Sequence, residues 1–557
     1  MNKVKRLPAP GKTSEIRFSK PSMRWLWGGF GFHNSEASMT PLMTEEFRDQ
    51  RALKTFREIS PSYSRVFAGY WNWTKEAMDR FADYYDATFR LAGTTLYVVP
   101  GRMPAFTEDF DADAYAEAVA SRLDYLVNGR KCAKVRYYTA ANELSVGSTY
   151  CWFRDHWDLY VSVTKALYRA FRRHGLDIGL MASDASGPEN LETIDWAIRD
   201  LNEQTEVYCW HSYAAYRPEL YGKLHAMLSN CVRRCLGTEK RLSLGEWGAS
   251  AEKEWLGRMI NDGCTGFNYE GAAANLGAMA RAEIGLCAMN AGCVNAASWT
   301  FCDYPDPFLR EDGDTAEEKA RYDVARFSGH GLDVRYNKCG LFRWDDENRD
   351  YSSYPDLYTM GYLAKLFRKG ARVLPWTTDD DTLRAGGVTN PDGSASFAVV
   401  NWGEAKTASL VVPHPLERPL RVYEYNSASP PCNPFNDLQP MSGTVEAKDG
   451  RLEVELPAKS IAFLTTDYED RVPPPVEGLR VADGRLIWQA ADDPAHRYYR
   501  VFRDGAQIAS TVATELPVDG TARFQRAFDD TQDACRTKAP SGFRVVSVDK
   551  WGNEGNR

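Results

Sequence analysis

From Met23 to about residue 369, short apolar runs alternate with longer stretches of helical period. Each run is short, β-branched and aromatic, and closes on polar or aromatic residues, which reads as a strand with chemistry at its C-terminal end. Residues 24–32 predict a first strand ending at His33 and Asn34. Residues 63–68 predict a second, carrying Arg65 and ending in Tyr70-Trp71-Asn72-Trp73. Thr95–Val99 predicts a third, with Arg102 just beyond. The fourth begins at Lys134 and runs into Asn142-Glu143. The fifth covers 177–184, the sixth 206–213 and the seventh 241–248 with Glu246 near its end. The eighth covers 292–299 and ends at Trp299. Helical runs over 45–59, 75–91, 113–127 and 272–291 lie between them. The helix after the fourth strand carries the stripe Tyr160, Val163, Leu167, Ala170 and Phe171, with Asp155 placed to cap its start and Gly175 its end. Eight alternations over roughly 280 residues fit a (β/α)8 TIM barrel in size and period.

A long loop follows Trp299, containing Asp303 and reaching about Tyr336, and residues 354–369 predict a closing helix. The period then changes from 3.6 to two. Residues 386–402 read as strand, Pro-Asp-Gly turn, strand, and 420–425, 451–456 and 460–465 alternate in the same way. The expected organisation is a polar segment over 1–22 lying across the body, a barrel over 23–369, an antiparallel β-sandwich over 370–467, a stiff Pro-rich linker over 468–475, and a last β-module over 476–557. The fold class is α/β.

A chain of 557 residues with a net charge of −8 presents no electrostatic footprint for nucleic acid or an anionic membrane. It has no apolar run long enough for a membrane span. The basic start, Met1 to Arg6, is followed by Leu-Pro-Ala-Pro-Gly-Lys rather than by an apolar core, so no signal peptide is read. The 12 cysteines are scattered, several inside expected strands and helices: Cys209 in a strand, Cys287 on a helix and Cys293 opening a strand. That pattern favours free thiols in a reducing compartment. Cytoplasmic residence is the expectation; secretion, or a periplasmic location, with the signal already removed is the alternative. Cys231 and Cys235 are four apart but lack the second Cys/His pair that a zinc site needs. Most of the 16 Trp, 29 Tyr and 25 Phe must be core; a surplus of Trp and Tyr also suits stacking on sugar rings, and composition alone does not separate the two.

Glu143 and Glu246, each delivered by a barrel strand, are the pair that glycosidic cleavage requires: one carboxyl arrives protonated, and the other stays ionised opposite the anomeric carbon. Glu143 is expected to be the acid/base and Glu246 the nucleophile. The set Asn142-Glu143, His211-Ser-Tyr213, Gly245-Glu246-Trp-Gly and Trp299, at the ends of the fourth, sixth, seventh and eighth strands, resembles glycoside hydrolase clan A. Barrel followed directly by sandwich is most similar to family 39 of that clan, with families 5 and 30 as neighbours. Leu144-Ser145 stands where members usually carry Pro or another small residue. The resemblance implies retention of configuration by double displacement, with no metal or organic cofactor. It implies that Asn142 meets the sugar 2-OH, that His211 or Tyr213 orients Glu246, that Arg65 lies beneath Glu246, and that Trp299 is a stacking platform. His33, Asn34, Trp71, Asn72, Trp73, Arg102 and Asp184 stand where substrate contacts would be, and packing or surface roles are equally open for each. The last 80-odd residues, with Leu486-Ile-Trp488 and Phe543 to Asn553, resemble a fibronectin type III module. The expected partner is an oligo- or polysaccharide, with oligomerisation open through the β-modules. A transglycosylase using the same residues, or a non-catalytic glycan-binding scaffold, are the alternatives.

Overall fold

The structure, a computed structural model, describes residues 13–21, 26–34, 47–68, 74–100, 109–144, 152–187, 190–213, 217–249, 271–305, 336–337, 339–345, 350–518 and 542–555. After a first strand β1 (Ser14–Phe18), eight parallel strands close into a barrel: β2 (Phe30–His33), β3 (Tyr63–Phe67), β4 (Thr95–Val99), β5 (Val135–Thr139), β6 (Gly179–Ser186), β7 (Thr205–Ser212), β8 (Arg241–Trp247) and β9 (Ala296–Ser298). Helices α1 (Leu53–Ile59), α2 (Lys75–Ala87), α3 (Ala112–Asp124), α4 (Trp157–Arg173), α5 (Glu192–Leu201), α6 (Tyr221–Cys235), α7 (Gly271–Ala291) and α8 (Leu357–Leu366) accompany the strands. The barrel interior is filled by side chains that include Tyr63, Tyr97, Met181, Val207, Cys209 and Ala297. It is a packed core, so chemistry is confined to the strand ends. Strand approach is close enough that a Cβ on Gly31 would lie 1.5 Å from the Tyr63 carbonyl oxygen.

Boundaries differ from the sequence expectation where backbone pairing, not composition, decides. The last strand spans only Ala296–Ser298, so Cys293 precedes it rather than opening it. The expected α4 cap is not made. Asp155 ends a separate helical turn (Trp152–Asp155), and His156 occupies the cap position, where its side chain makes no capping bond. Gly175, with φ of +64°, does follow the helix end, where a left-handed residue is needed. Cys132, Cys209, Cys231, Cys235, Cys287, Cys293, Cys302 and Cys339 are buried thiols in no disulfide, and Cys432 is an exposed one. Among the described residues no helix is long and apolar enough to cross a membrane.

Two antiparallel-dominated sheets form the sandwich. One has six strands, in the order Arg372–Val373, Leu383–Thr389, Ala395–Asn401, Ser460–Thr465, Leu420–Asn426 and Gly443–Val445. The other has four, in the order Trp376–Thr378, β1, Lys406–Val411 and Arg451–Leu456. β1 comes from the segment set apart by its polar sequence. Its alternation buries Ser14, Ile16 and Phe18. The six-stranded sheet turns Val400, Tyr425 and Phe463 into the same apolar cluster as the barrel helices. Glu283 on α7 anchors the junction, accepting from Trp402 Nε1 and pairing with Arg384 Nε at 3.2 Å.

The C-terminal module has two three-stranded sheets, and it meets the rest of the chain through an ionic cluster as well as through Val512, which packs against the main apolar core. Lys54 on α1 is fully buried, with Nζ 2.7 Å from Glu58, 2.6 Å from Asp437 and 2.8 Å from the Asn436 carbonyl. Arg500 reaches Asp437 at 3.0 Å and Tyr498 donates to Glu58 at 3.2 Å, both from the module. Barrel, sandwich and module thus share one ionic cluster. Removing one member leaves its partners charged and buried, which costs roughly 3–5 kcal/mol. Lys54→Met is expected to lower the urea midpoint accordingly; an unchanged midpoint would show that the cluster contributes nothing net.

Candidate active site

Glu143 follows the end of β5 and Glu246 lies near the end of β8, with β6 and β7 between them in the barrel. Glu143 holds a left-handed backbone, φ +45°, unusual for a residue with a Cβ and costing about 1 kcal/mol. A carboxylate oxygen of each and a ring nitrogen of His211 all lie within 4.8 Å of one another. The Glu143 side chain is 18 % exposed and that of Glu246 only 5 %, so Glu143 is the one placed to trade protons with water.

Their surroundings differ in kind. Glu246 receives donors on both oxygens: Arg65 Nη1 on Oε1, and the Tyr213 hydroxyl on Oε2 at 2.5 Å. Glu143 is pushed above the usual carboxylate range by burial and by the negative charge of Glu246; His211, with Nδ1 3.0 Å from Oε1, pulls the other way. Glu143 is therefore equipped to hold a proton. Burial raises the Tyr213 phenol far above its ordinary value, and the Glu246 charge adds to this, so Tyr213 is a donor throughout.

Gly245 is required beside Glu246. A Cβ there would lie 2.3 Å from Cys209 Sγ and 3.1 Å from His211 Nε2, displacing the ring that faces Glu143.

Arg65, fully buried on β3, is the centre of the cluster. Besides Glu246 it donates to Asn142 Oδ1 at 2.5 Å and Asp184 Oδ2 at 3.0 Å through Nη2. His211 sits nearer Glu143 than Glu246, whose Oε2 is 3.6 Å from Nδ1. Trp299 is 7 % exposed, with its ring centroid 4.4 Å from that of His33 and 5.8 Å from that of Phe67. His33 is fully buried under it, with Nδ1 3.4 Å from Arg65 Nη1. Asn34 is also fully buried and accepts from the Tyr84 hydroxyl on α2 at 3.4 Å, so it supports the site from behind. Asp303, equally buried, accepts from the backbone of Cys339 and Gly340 and from Tyr354. Trp71, Asn72, Trp73 and Arg102 lie outside the described residues.

Sequence reasoning left Asp184 as an undecided strand-end polar group and overlooked Tyr97. The structure joins them: Tyr97 on β4 donates to Asp184 Oδ1 at 2.9 Å. A tyrosine inside a strand looks like core, and its sequence carries no signal of a partner. The trios Glu143–His211–Glu246 and Asp184–Cys209–His211 have the donor types a metal ion takes. Arg65 supplies a positive charge to both Glu246 and Asp184.

No family model and no curated protein matches the chain. Solved structures match its fold. A bacterial orthologue of human α-L-iduronidase is 14 % identical, with 98 % of this chain and 99 % of that one covered and a TM-score of 0.57. The catalytic domain of GH30 xylanase C from Talaromyces cellulolyticus is 14 % identical, with 81 % and 99 % covered and a TM-score of 0.55. An endo-β1,6-glucanase is 14 % identical, with 82 % and 94 % covered and a TM-score of 0.53. At such identity the likeness is one of fold, and the first match extends through the C-terminal sheets.

Proposed function

We propose that the chain is a retaining glycoside hydrolase of β-linked glycans, with Glu246 as nucleophile and Glu143 as acid/base. The observation that carries this is the pair of carboxyls within 4.8 Å at the barrel's C-terminal face, Glu143 pushed above the usual carboxylate range by burial and Glu246 accepting from Arg65 and Tyr213. Retaining enzymes hold the two carboxyls about 5–5.5 Å apart, whereas inverting enzymes leave about 6.5–9.5 Å for a water. Glu246 attacks the anomeric carbon while Glu143 protonates the departing oxygen. The ester formed on Glu246 removes the charge that helped keep the Glu143 proton in place, so Glu143 can next deprotonate water. Asn142, its carbonyl engaged by Arg65, presents its amide to a sugar hydroxyl, and Trp299 offers a stacking face. That fold neighbours bear glycosidase names supports the class. The barrel-plus-sandwich order supports a family 39-like member of clan A with domains over 23–369, 370–467 and 476–557, the last a fibronectin type III-like module.

A panel of aryl β-glycosides and polysaccharides, run beside Glu246→Ala, tests this. Turnover of an aryl glycoside that disappears in the variant is expected, and it names the sugar. Glycan binding without turnover would replace the enzyme reading with that of a scaffold.

A further inference from the structure

Asp184 on β6 is fully buried and touches neither glutamate, yet one bond separates it from the groups around both. Its backbone is left-handed, φ +59°, a conformation a residue with a Cβ adopts only when its surroundings hold it there. Three strands converge on its carboxylate. Arg65 Nη2 lies 3.0 Å from Oδ2, while the Tyr97 hydroxyl at 2.9 Å and His211 Nε2 at 3.0 Å share Oδ1. The other nitrogen of His211 is the one 3.0 Å from Glu143.

We infer that Asp184 is a positioning residue that keeps His211 an imidazolium with Nδ1–H aimed at Glu143, and so sets the pH at which Glu143 releases its proton. This rests on the reading of Glu143 as acid/base. A carboxylate at Nε2 fixes a proton there and stabilises a second on Nδ1, because the pair Asp184⁻/His211⁺ is buried and mutually neutralising. His211 is driven to the charged form against its burial by the negative charges of Asp184 and Glu246; Asp184, also against its burial, is held ionised by His211 and Arg65. The groups facing this pair are Glu143, Glu246, Arg65, Cys209 and the phenols of Tyr97, Tyr160 and Tyr213. The phenols and the thiol are kept protonated by burial, which leaves Glu143 and the His–Asp pair as the groups the test reads.

In Asp184→Asn the ion pair becomes a neutral pair. Net charge is unchanged, but the positive pole facing Glu143 is lost. Ionised Glu143 then loses its nearest cation, and the basic limb of kcat/KM moves to higher pH, by about one unit. Asp184→Glu keeps the charge and is expected to hold the limb near the wild-type position. The direct readout is the imidazole signal of His211 in full-length protein labelled with [2-¹³C]histidine and assigned with His211→Asn. Wild type and Asp184→Glu should show imidazolium between about pH 5 and 8, and Asp184→Asn should titrate within that window. A wild-type His211 that titrates there would overturn the inference. So would an unmoved limb in a folded Asp184→Asn that has only lost kcat. If wild type cleaves no glycoside, the functional reading fails, and the imidazole signal still decides the Asp184–His211 pair.

Discussion

Glu246→Ala is expected to lose at least about 10⁴-fold in kcat on aryl β-glycosides, because the covalent step has no other nucleophile. Added azide restores product release, and the product is a glycosyl azide of inverted configuration. The reason lies in what the substitution leaves behind. Arg65 Nη1 and the Tyr213 hydroxyl lose the acceptor they shared, so a space lined by a cation and a donor opens on the face where Glu246 stood. A small anion is drawn into it and attacks the anomeric carbon, while Glu143 still protonates the leaving oxygen. No ester forms, so the second displacement and its second inversion never occur. Nuclear magnetic resonance of the azide adduct reads the configuration. Near-normal hydrolysis by the variant would remove Glu246 from the mechanism.

Glu143→Ala is expected to separate substrates by leaving group. Loss of general acid catalysis costs roughly 10²–10⁴-fold where the departing oxygen needs a proton, and little where a dinitrophenolate leaves unaided. The glycosyl-enzyme then accumulates, since no base activates water. Azide, needing no base, releases it with retained configuration, opposite to its product with Glu246→Ala. The pH profile carries the same information. Burial, with the Glu246 charge adding, lifts Glu143 above the usual carboxylate range, so it stays protonated to higher pH than an exposed glutamate. Wild-type kcat/KM should fall as pH rises through that value, and the variant should lose that limb on an activated substrate. An identical limb in both proteins would assign it to another group.

The barrel was legible because each turn of βα writes a change of hydrophobic period, and because strand ends are where polar residues interrupt apolar runs. Glu143, Glu246, Arg65, His211 and Tyr213, each at or near such an end or on a strand, come together in the structure. What sequence could not supply is which strand end faces which. Asp184 reads as one more polar terminus until Arg65, Tyr97 and His211 are seen to share it. Asn34 is open between substrate contact and packing by the same rule, and in the structure it is buried and accepts from Tyr84. Asp155 fits a capping pattern, but its own helical turn uses it first. The Lys54 cluster was invisible for a related reason: a lysine on an amphipathic helix looks like solvent-facing charge unless another module covers it.

β1 is an inner strand of its sheet, flanked by Trp376–Thr378 and Lys406–Val411, and the bond from Ser14 to Asp380 spans 366 residues. During synthesis at roughly 5–20 residues per second, Ile16 and Phe18 leave the ribosome roughly 20–70 seconds before either flanking strand exists. The barrel can close in that interval; the sheet cannot. The nascent chain therefore carries an exposed apolar strand past the completion of its largest domain, a window for chaperone capture or for pairing with a neighbouring chain on the same message. Anything that slows translation between Phe18 and Trp376 widens that window without changing a single contact in the finished protein.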